Sequence, residues 1–231
     1  RERPVLIAVD QSHNMFFGSQ VAFKSVVAAE AAAIICWTTV DNGDRVGGVV
    51  FGDQHQELVK PRRSKRSALR FLNTLASYNQ DLLQHRQSPS LADVSCLQRA
   101  LEQLYRITRP SSNVYVISDF QTLNESCLRY LRQLSLHSSV TAVYIYDMLE
   151  ANLPVPGIYS ITDGAHRSSI DTHARKIREL YHQDFTQRLS SLENTFSNIK
   201  IPLITIRTSQ LVLAQLETWR HGDTGSTQSA G

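Results

Sequence analysis

The segment Asp10-Gln11-Ser12-His13-Asn14 places three hard oxygen donors at alternate positions directly after the apolar run Val5-Leu6-Ile7-Ala8-Val9. Carboxylate, hydroxyl and amide oxygens in one loop suit Mg²⁺ or Mn²⁺, and the lack of neighbouring Cys or paired His argues against zinc. Two distant residues could complete an octahedron with water. Asp119 ends a second apolar run, Val114-Tyr115-Val116-Ile117, and Ser95 stands near the head of the helix before it. The expected metal set is therefore Asp10, Ser12, Asn14, Ser95 and Asp119. The same residue types also cap helices and close loops, so a purely structural role competes with the metal.

The elements around these residues explain how they would meet. Both apolar runs are continuous, the pattern of strands buried on both faces of a parallel sheet. A long Ala-rich helix is expected over residues 20–39. Two strands follow, 46–51 and 56–59, joined by Gly52-Asp53 as a hairpin, which puts one antiparallel strand at the sheet edge. Helices are expected over 64–83 and 90–107, then a helix over 125–136, a strand over 140–146, a long helix over 173–198, a strand over 202–206 and a helix over 211–219. Strands alternating with helices predict an α/β, Rossmann-like fold, a mostly parallel sheet covered on both faces. Ligands of such sheets sit beyond the carboxyl ends of the strands, where Asp10 and Asp119 fall.

The Asp-x-Ser-x-Asn segment resembles the Asp-x-Ser-x-Ser motif of von Willebrand factor A domains, with Asn14 in place of the second Ser and Ser95 in place of a distant Thr. The surrounding words are similar to one bacterial branch, domain of unknown function 58. They are Glu2-Arg3-Pro4-Val5, Met15-Phe16-Phe17-Gly18-Ser19, Gly43-Asp44-Arg45-Val46-Gly47, Ile117-Ser118-Asp119-Phe120, and Asp147-Met148-Leu149-Glu150 before Pro154 and Gly157. The resemblance runs from about Arg3 to Trp219. It implies a protein-interaction module with a metal-ion-dependent adhesion site, whose exchangeable position takes a partner's carboxylate. It further implies action beside a MoxR-type AAA+ ATPase in protein maturation, and a region upstream of the A-like domain.

Composition sets the bounds. The 231 residues, 42% of them hydrophobic, suffice for one core, expected over residues 1–221 with a small hairpin insertion near 157–171 and a disordered tail over 222–231. A net charge of +3 is too small to imply nucleic acid. The run Lys60-Pro61-Arg62-Arg63-Ser64-Lys65-Arg66 has no interleaved aromatics and reads as a solvated loop and helix start. Cys36, Cys96 and Cys127 are scattered, as buried thiols of a reducing compartment would be, and no export signal or membrane-length apolar run is legible. The expectation is a cytoplasmic chain, and a start without Met reads as a piece of a longer protein.

Enzyme chemistry is the weaker reading. A Mg²⁺-dependent phosphohydrolase of the haloacid dehalogenase kind would need an Asp where Ser12 stands, and neither a phosphate loop nor a nucleophile elbow is present. A metal-free scaffolding domain is the other alternative. Asp147 and Glu150, on the same rim as Asp119, are expected to extend a partner-binding surface, unless Asp147 fixes the turn before Pro154. Ile177, Leu180, Tyr181, Phe185, Leu189, Leu192 and Phe196 form a stripe expected to pack on the core.

Overall fold

The computed structural model describes residues 3–84, 95–162 and 167–223. The chain runs β1 (Val5–Asp10), α1 (Lys24–Asp41), β2 (Val46–Phe51), β3 (Gln56–Arg62), α2 (Lys65–Gln84), α3 (Cys96–Ile107), β4 (Asn113–Ser118), α4 (Glu125–Ser135) and β5 (Ser139–Tyr146). It continues through the short α5 (Met148–Ala151), β6 (Ile158–Thr162), β7 (Arg167–Asp171), α6 (Arg175–Asn198), β8 (Leu203–Arg207) and α7 (Val212–Asp223). Six strands make one sheet in the order β3-β2-β1-β4-β5-β8, and β6 pairs with β7 separately.

Every β1 and β2 residue is buried, which is why their sequences are apolar without alternation. All ladders of the main sheet are parallel except β2–β3. The one antiparallel edge strand is therefore as expected, and its Pro61 is tolerated there because an edge strand need not donate on its outer side. Odd-numbered β1 residues (Val5, Ile7, Val9) face a core with Val27, Ala28, Ala31 and Ala32 of α1, Phe71 and Leu75 of α2, and Val212 and Leu216 of α7. Even-numbered Leu6 and Ala8 face a second core with Leu97, Leu101 and Leu104 of α3, Leu128 and Leu131 of α4, and Phe196 of α6.

Three expectations shift. The helix α1 begins at Lys24 rather than Gln20, because Ser19 is tied to Asp147 by two hydrogen bonds and the Lys24 amide bonds back to Phe17. A Cβ on Gly18 would lie 2.2 Å from the Ala22 carbonyl oxygen, so this loop needs its glycine. Within α6, only Phe185 and Phe196 of the expected core stripe are buried, while Ile177 is 45% and Leu180 54% exposed. The first half of this helix packs mainly through polar contacts, Tyr181 donating to the Leu149 carbonyl and the His182 ring meeting the Ala151 carbonyl. Finally, α7 reaches Asp223, so residues 222 and 223 are helical.

The expected helix start over 90–94, residues 163–166 at the tip of the expected hairpin insertion, and the tail from 224 onward lie outside the described residues. The flanking strands β6 and β7 pair in antiparallel register, from Ile158 opposite Asp171 to Thr162 opposite Arg167. Among the described residues no helix is long and apolar enough to cross a membrane.

Candidate functional site

The register Val9↔Ile117 between β1 and β4 sets Asp10 beside Ser118, with Asp119 one residue beyond, all at the carboxyl rim. Asp10 is 1% exposed and Asp119 6%. Asp10 Oδ1 accepts the Ser12 amide at 2.9 Å and Oδ2 accepts the Ser118 hydroxyl at 2.6 Å. The Ser12 side chain also bonds to this carboxylate. Burial, and next the negative charge of Asp119, push the Asp10 carboxyl up to about 7 against the opposing pull of these hydrogen bonds.

The neighbour that decides the chemistry is Lys24, in the first turn of α1. Its side chain is fully buried, and its Nζ lies 2.8 Å from Asp119 Oδ2 and 2.8 Å from Glu150 Oε1. Burial alone would lower the ammonium's pKa, but the two carboxylates outweigh it and hold the group above the ordinary lysine value. The second oxygens are used as well. Asp119 Oδ1 accepts the Gln121 amide at 3.1 Å, and Glu150 Oε2 accepts the Asp147 amide at 2.8 Å.

The remaining expected ligands are drawn elsewhere. The Ser95 hydroxyl accepts from the Arg99 guanidinium at 2.6 Å, one turn along α3. Arg99 also donates to the Asp53 carbonyl, and Asp53 Oδ2 accepts the His13 amide at 2.9 Å. Asn14, half-buried in a 3-10 turn, makes no side-chain hydrogen bond among the described residues. The structure thus brings Asp10, Ser12 and Asp119 to one rim, holds Ser95 on a cation of its own, and leaves Asn14 outside the bonded cluster.

A divalent ion needs oxygens with free lone pairs and an uncompensated negative field. Here an ammonium already compensates Asp119, and an ion sharing that carboxylate would lie within about 5 Å of it, a repulsive distance in partly buried surroundings. The donor set as arranged does not fit Mg²⁺ or Mn²⁺. Among the described residues no group of three or more His, Cys, Asp or Glu is disposed to hold a metal ion either.

Asp147, expected at the surface, is fully buried. Its Oδ1 accepts the Ser19 hydroxyl at 2.5 Å and the Leu149 amide at 2.9 Å, and Oδ2 accepts the Thr208 hydroxyl at 2.5 Å and the Ser19 amide at 3.0 Å. Burial would raise its pKa, but these donors together hold the carboxyl below the usual range. Together with Glu150 it forms a reciprocal cap on α5. The turn-fixing role is the one this geometry supports.

Lys24, Ser118, Ser19 and Asp53 are not among the ligands the motif points to. Lys24 had one legible signal, as the lone cation in an otherwise apolar, Ala-rich helix. Next to the rim lies an open groove of about 460 Å³ between the sheet end and α6, lined by Asp119, Tyr144, Glu150, Phe185, Arg188 and Leu192, among others. Phe120, immediately after Asp119, takes a left-handed backbone (φ 52°) and packs edge-on against Phe196 with ring centroids 5.0 Å apart.

A doubly wound sheet of this order is Rossmann-like, and the solved structures similar to it include von Willebrand factor A domains. Its likeness to the conserved hypothetical protein BatB from Bacteroides thetaiotaomicron covers 98% of this chain and all of that one, with a TM-score of 0.53 at 15% identity. An aerotolerance-related membrane protein from Bacteroides fragilis is similar over 93% of this chain and 96% of its own, with a TM-score of 0.48 and 18% identity. A von Willebrand factor type A protein from Catenulispora acidiphila matches over 63% of this chain and 33% of its own, with a TM-score of 0.44 and 16% identity. No curated protein matches the chain. Within that fold class the chain belongs to the DUF58 family, described as protein of unknown function, whose model matches residues 1–190.

Proposed function

We propose that this domain is a non-enzymatic protein-interaction module that docks a partner in the groove between the carboxyl rim of the sheet and α6. The observation that carries the reading is the groove itself. It is open and sizeable, it offers the apolar and aromatic faces of Tyr144, Phe185 and Leu192, and it has one exposed cation, Arg188. Among the described residues Arg188 has one ion pair, with Asp184 at 3.2 Å, exposed on the same helix, an arrangement worth about 0.3–0.5 kcal/mol. A partner carboxylate can displace so weak a tie and gain a two-pronged bond.

Catalysis fits the site less well. A carboxyl with a raised pKa is a common mark of an active site. Asp10, however, is shut off from solvent, and both its oxygens hold fixed donors. It has no route to a substrate, and the two hydroxyls it meets, those of Ser12 and Ser118, are buried with it.

The partner class that the family resemblance suggests is a MoxR-type AAA+ ATPase or its client. The test is binding of a purified MoxR-type ATPase to this domain, measured by biolayer interferometry in EDTA. Arg188→Glu should weaken binding by about tenfold or more, which is ~1.4 kcal/mol. Arg66→Glu, in the exposed basic run at the far side of α2, should not change it. An Arg188→Glu variant that binds like the parent protein would remove the groove from the reading.

A further inference from the structure

We infer that the Lys24 ammonium is the resident cation of this rim, tethered on Asp119, a carboxylate that an exchangeable divalent ion would need. The claim rests on the geometry of the cluster and not on the docking groove.

Complete burial of a lysine is rare, because the ammonium loses its hydration and the long side chain its freedom. Lys24 is tolerated because two carboxylates from separate elements meet it at 2.8 Å each. One is Asp119 at the end of β4, and the other is Glu150 of α5. The remaining oxygen of each is taken by a backbone amide, so the cluster is fixed on every side. Across the rim, both oxygens of Asp10 hold hydroxyl or amide donors, and Ser95 faces the Arg99 guanidinium. The carboxylate oxygens of Asp10, Asp119 and Glu150 and the Ser95 hydroxyl thus each have a protein donor on them.

The chemical consequence follows from the difference between an ammonium and Mg²⁺. An ammonium has three N–H donors and a single charge, with no coordination position that a partner's carboxylate can enter. It offsets one of the two negative charges of Asp119 and Glu150 and clamps α1, β4 and α5 together. The domain then keeps this end of the sheet folded at any metal concentration, and a partner must bind by direct contacts.

Thermal melts of the whole domain test this, with Mn²⁺ and Mg²⁺ titrated against KCl of equal ionic strength. A ligand of the folded state must raise the midpoint, so the parent protein should show no saturable shift. Lys24→Met and Lys24→Gln vacate the position between the carboxylates. Each should gain a saturable Mn²⁺-dependent rise in midpoint that the parent lacks over the same titration. Adding Asp119→Asn to either should abolish the gain. A second readout on the parent needs no variant: Mn²⁺ should leave the amide resonances of Ser12 and Gln121 unbroadened in a heteronuclear NMR spectrum.

Saturable Mn²⁺ stabilisation of the parent that Asp119→Asn removes, or selective broadening at Ser12 and Gln121, would overturn the inference. So would a folded Lys24→Gln protein that gains no affinity for metal. If neither variant folds, the NMR arm decides alone. Loss of partner binding in Arg188→Glu leaves all these results untouched, so failure of the docking reading and failure of this one are separable.

Discussion

The Ser118 hydroxyl donates to Asp10 Oδ2 at 2.6 Å, and this bond ties the carboxyl ends of β4 and β1 inside a region closed to solvent. A buried carboxylate is costly unless it is bonded or neutralised. Asp10 has donors but no cation of its own, and the nearby Asp119 carries the same charge. The protonated form is therefore favoured in the folded protein.

That preference gives a pH dependence with a definite sign. The folded-state pKa of about 7 lies above the ordinary value of 3.8, so the folded chain binds a proton that the unfolded chain releases. The stabilising contribution is complete below pH 3.8 and is withdrawn as pH rises towards 7. Its full size is on the order of 4 kcal/mol. Asp10→Asn carries no titration, so relative to the parent it should gain stability between pH 4.5 and 8. Urea unfolding of both proteins across that range checks this, and parallel stability curves would sink it.

The two partners of Lys24 should not be equal. The Asp119 side chain is 4% exposed and the Glu150 side chain 21%, so water can replace Glu150 more readily than Asp119. Removing one partner of a buried pair costs about 3–5 kcal/mol, less where solvent reaches the site. Asp119→Asn should therefore shift the urea midpoint further than Glu150→Gln. Equal shifts would mean that Lys24 leans on both alike.

Asp147 accepts four hydrogen bonds, two of them from Ser19, which lies 128 residues earlier in the chain. An amide in its place has a single acceptor oxygen, so Asp147→Asn should cost about 2–3 kcal/mol. The loss should be local first. Hydrogen exchange at the Ser19 amide should speed up more than at the Val9 amide inside β1. Uniform acceleration along the chain would show instead that Asp147 acts only through global stability.

How much of this was legible beforehand follows from what each signal depends on. The continuous apolar runs of β1 and β4 declare doubly buried strands, and a strand's end fixes where its next residues lie, so Asp10 and Asp119 are placed on one rim by local pattern alone. The roles of those residues depend on what meets them from elsewhere. Lys24 sits in a helix whose periodicity says only which face is buried. Its pairing with residues 95 and 126 positions away is a tertiary fact. Asp147 is buried for a related reason: the Ser19 loop and Thr208 close over it, while Glu150 still lines the groove. The stripe on α6 misled in the other direction, because 3.6-residue periodicity does not reveal how much of a long helix the sheet is wide enough to cover.

The last expectation concerns Gly47-Gly48, a pair that a motif search could mistake for part of a phosphate loop. Both lie inside β2, paired to β1, and Gly48 is paired to β3 as well, so their role is close approach of backbone and not anion binding. A Cβ on Gly48 would stand 1.9 Å from the Ile7 carbonyl oxygen, in the middle of the sheet, where neither strand can move without losing its ladder. At Gly52, beyond the strand end, the nearest atom is the Gln11 carbonyl oxygen at 3.3 Å, and a slight shift of the turn accommodates a methyl group. Gly48→Ala should cost about 3 kcal/mol or more, and Gly52→Ala within ~1 kcal/mol of nothing. Denaturant midpoints of the two variants measured side by side check the contrast. A Gly48→Ala protein as stable as Gly52→Ala would mean that β1 and β2 are not held at this spacing.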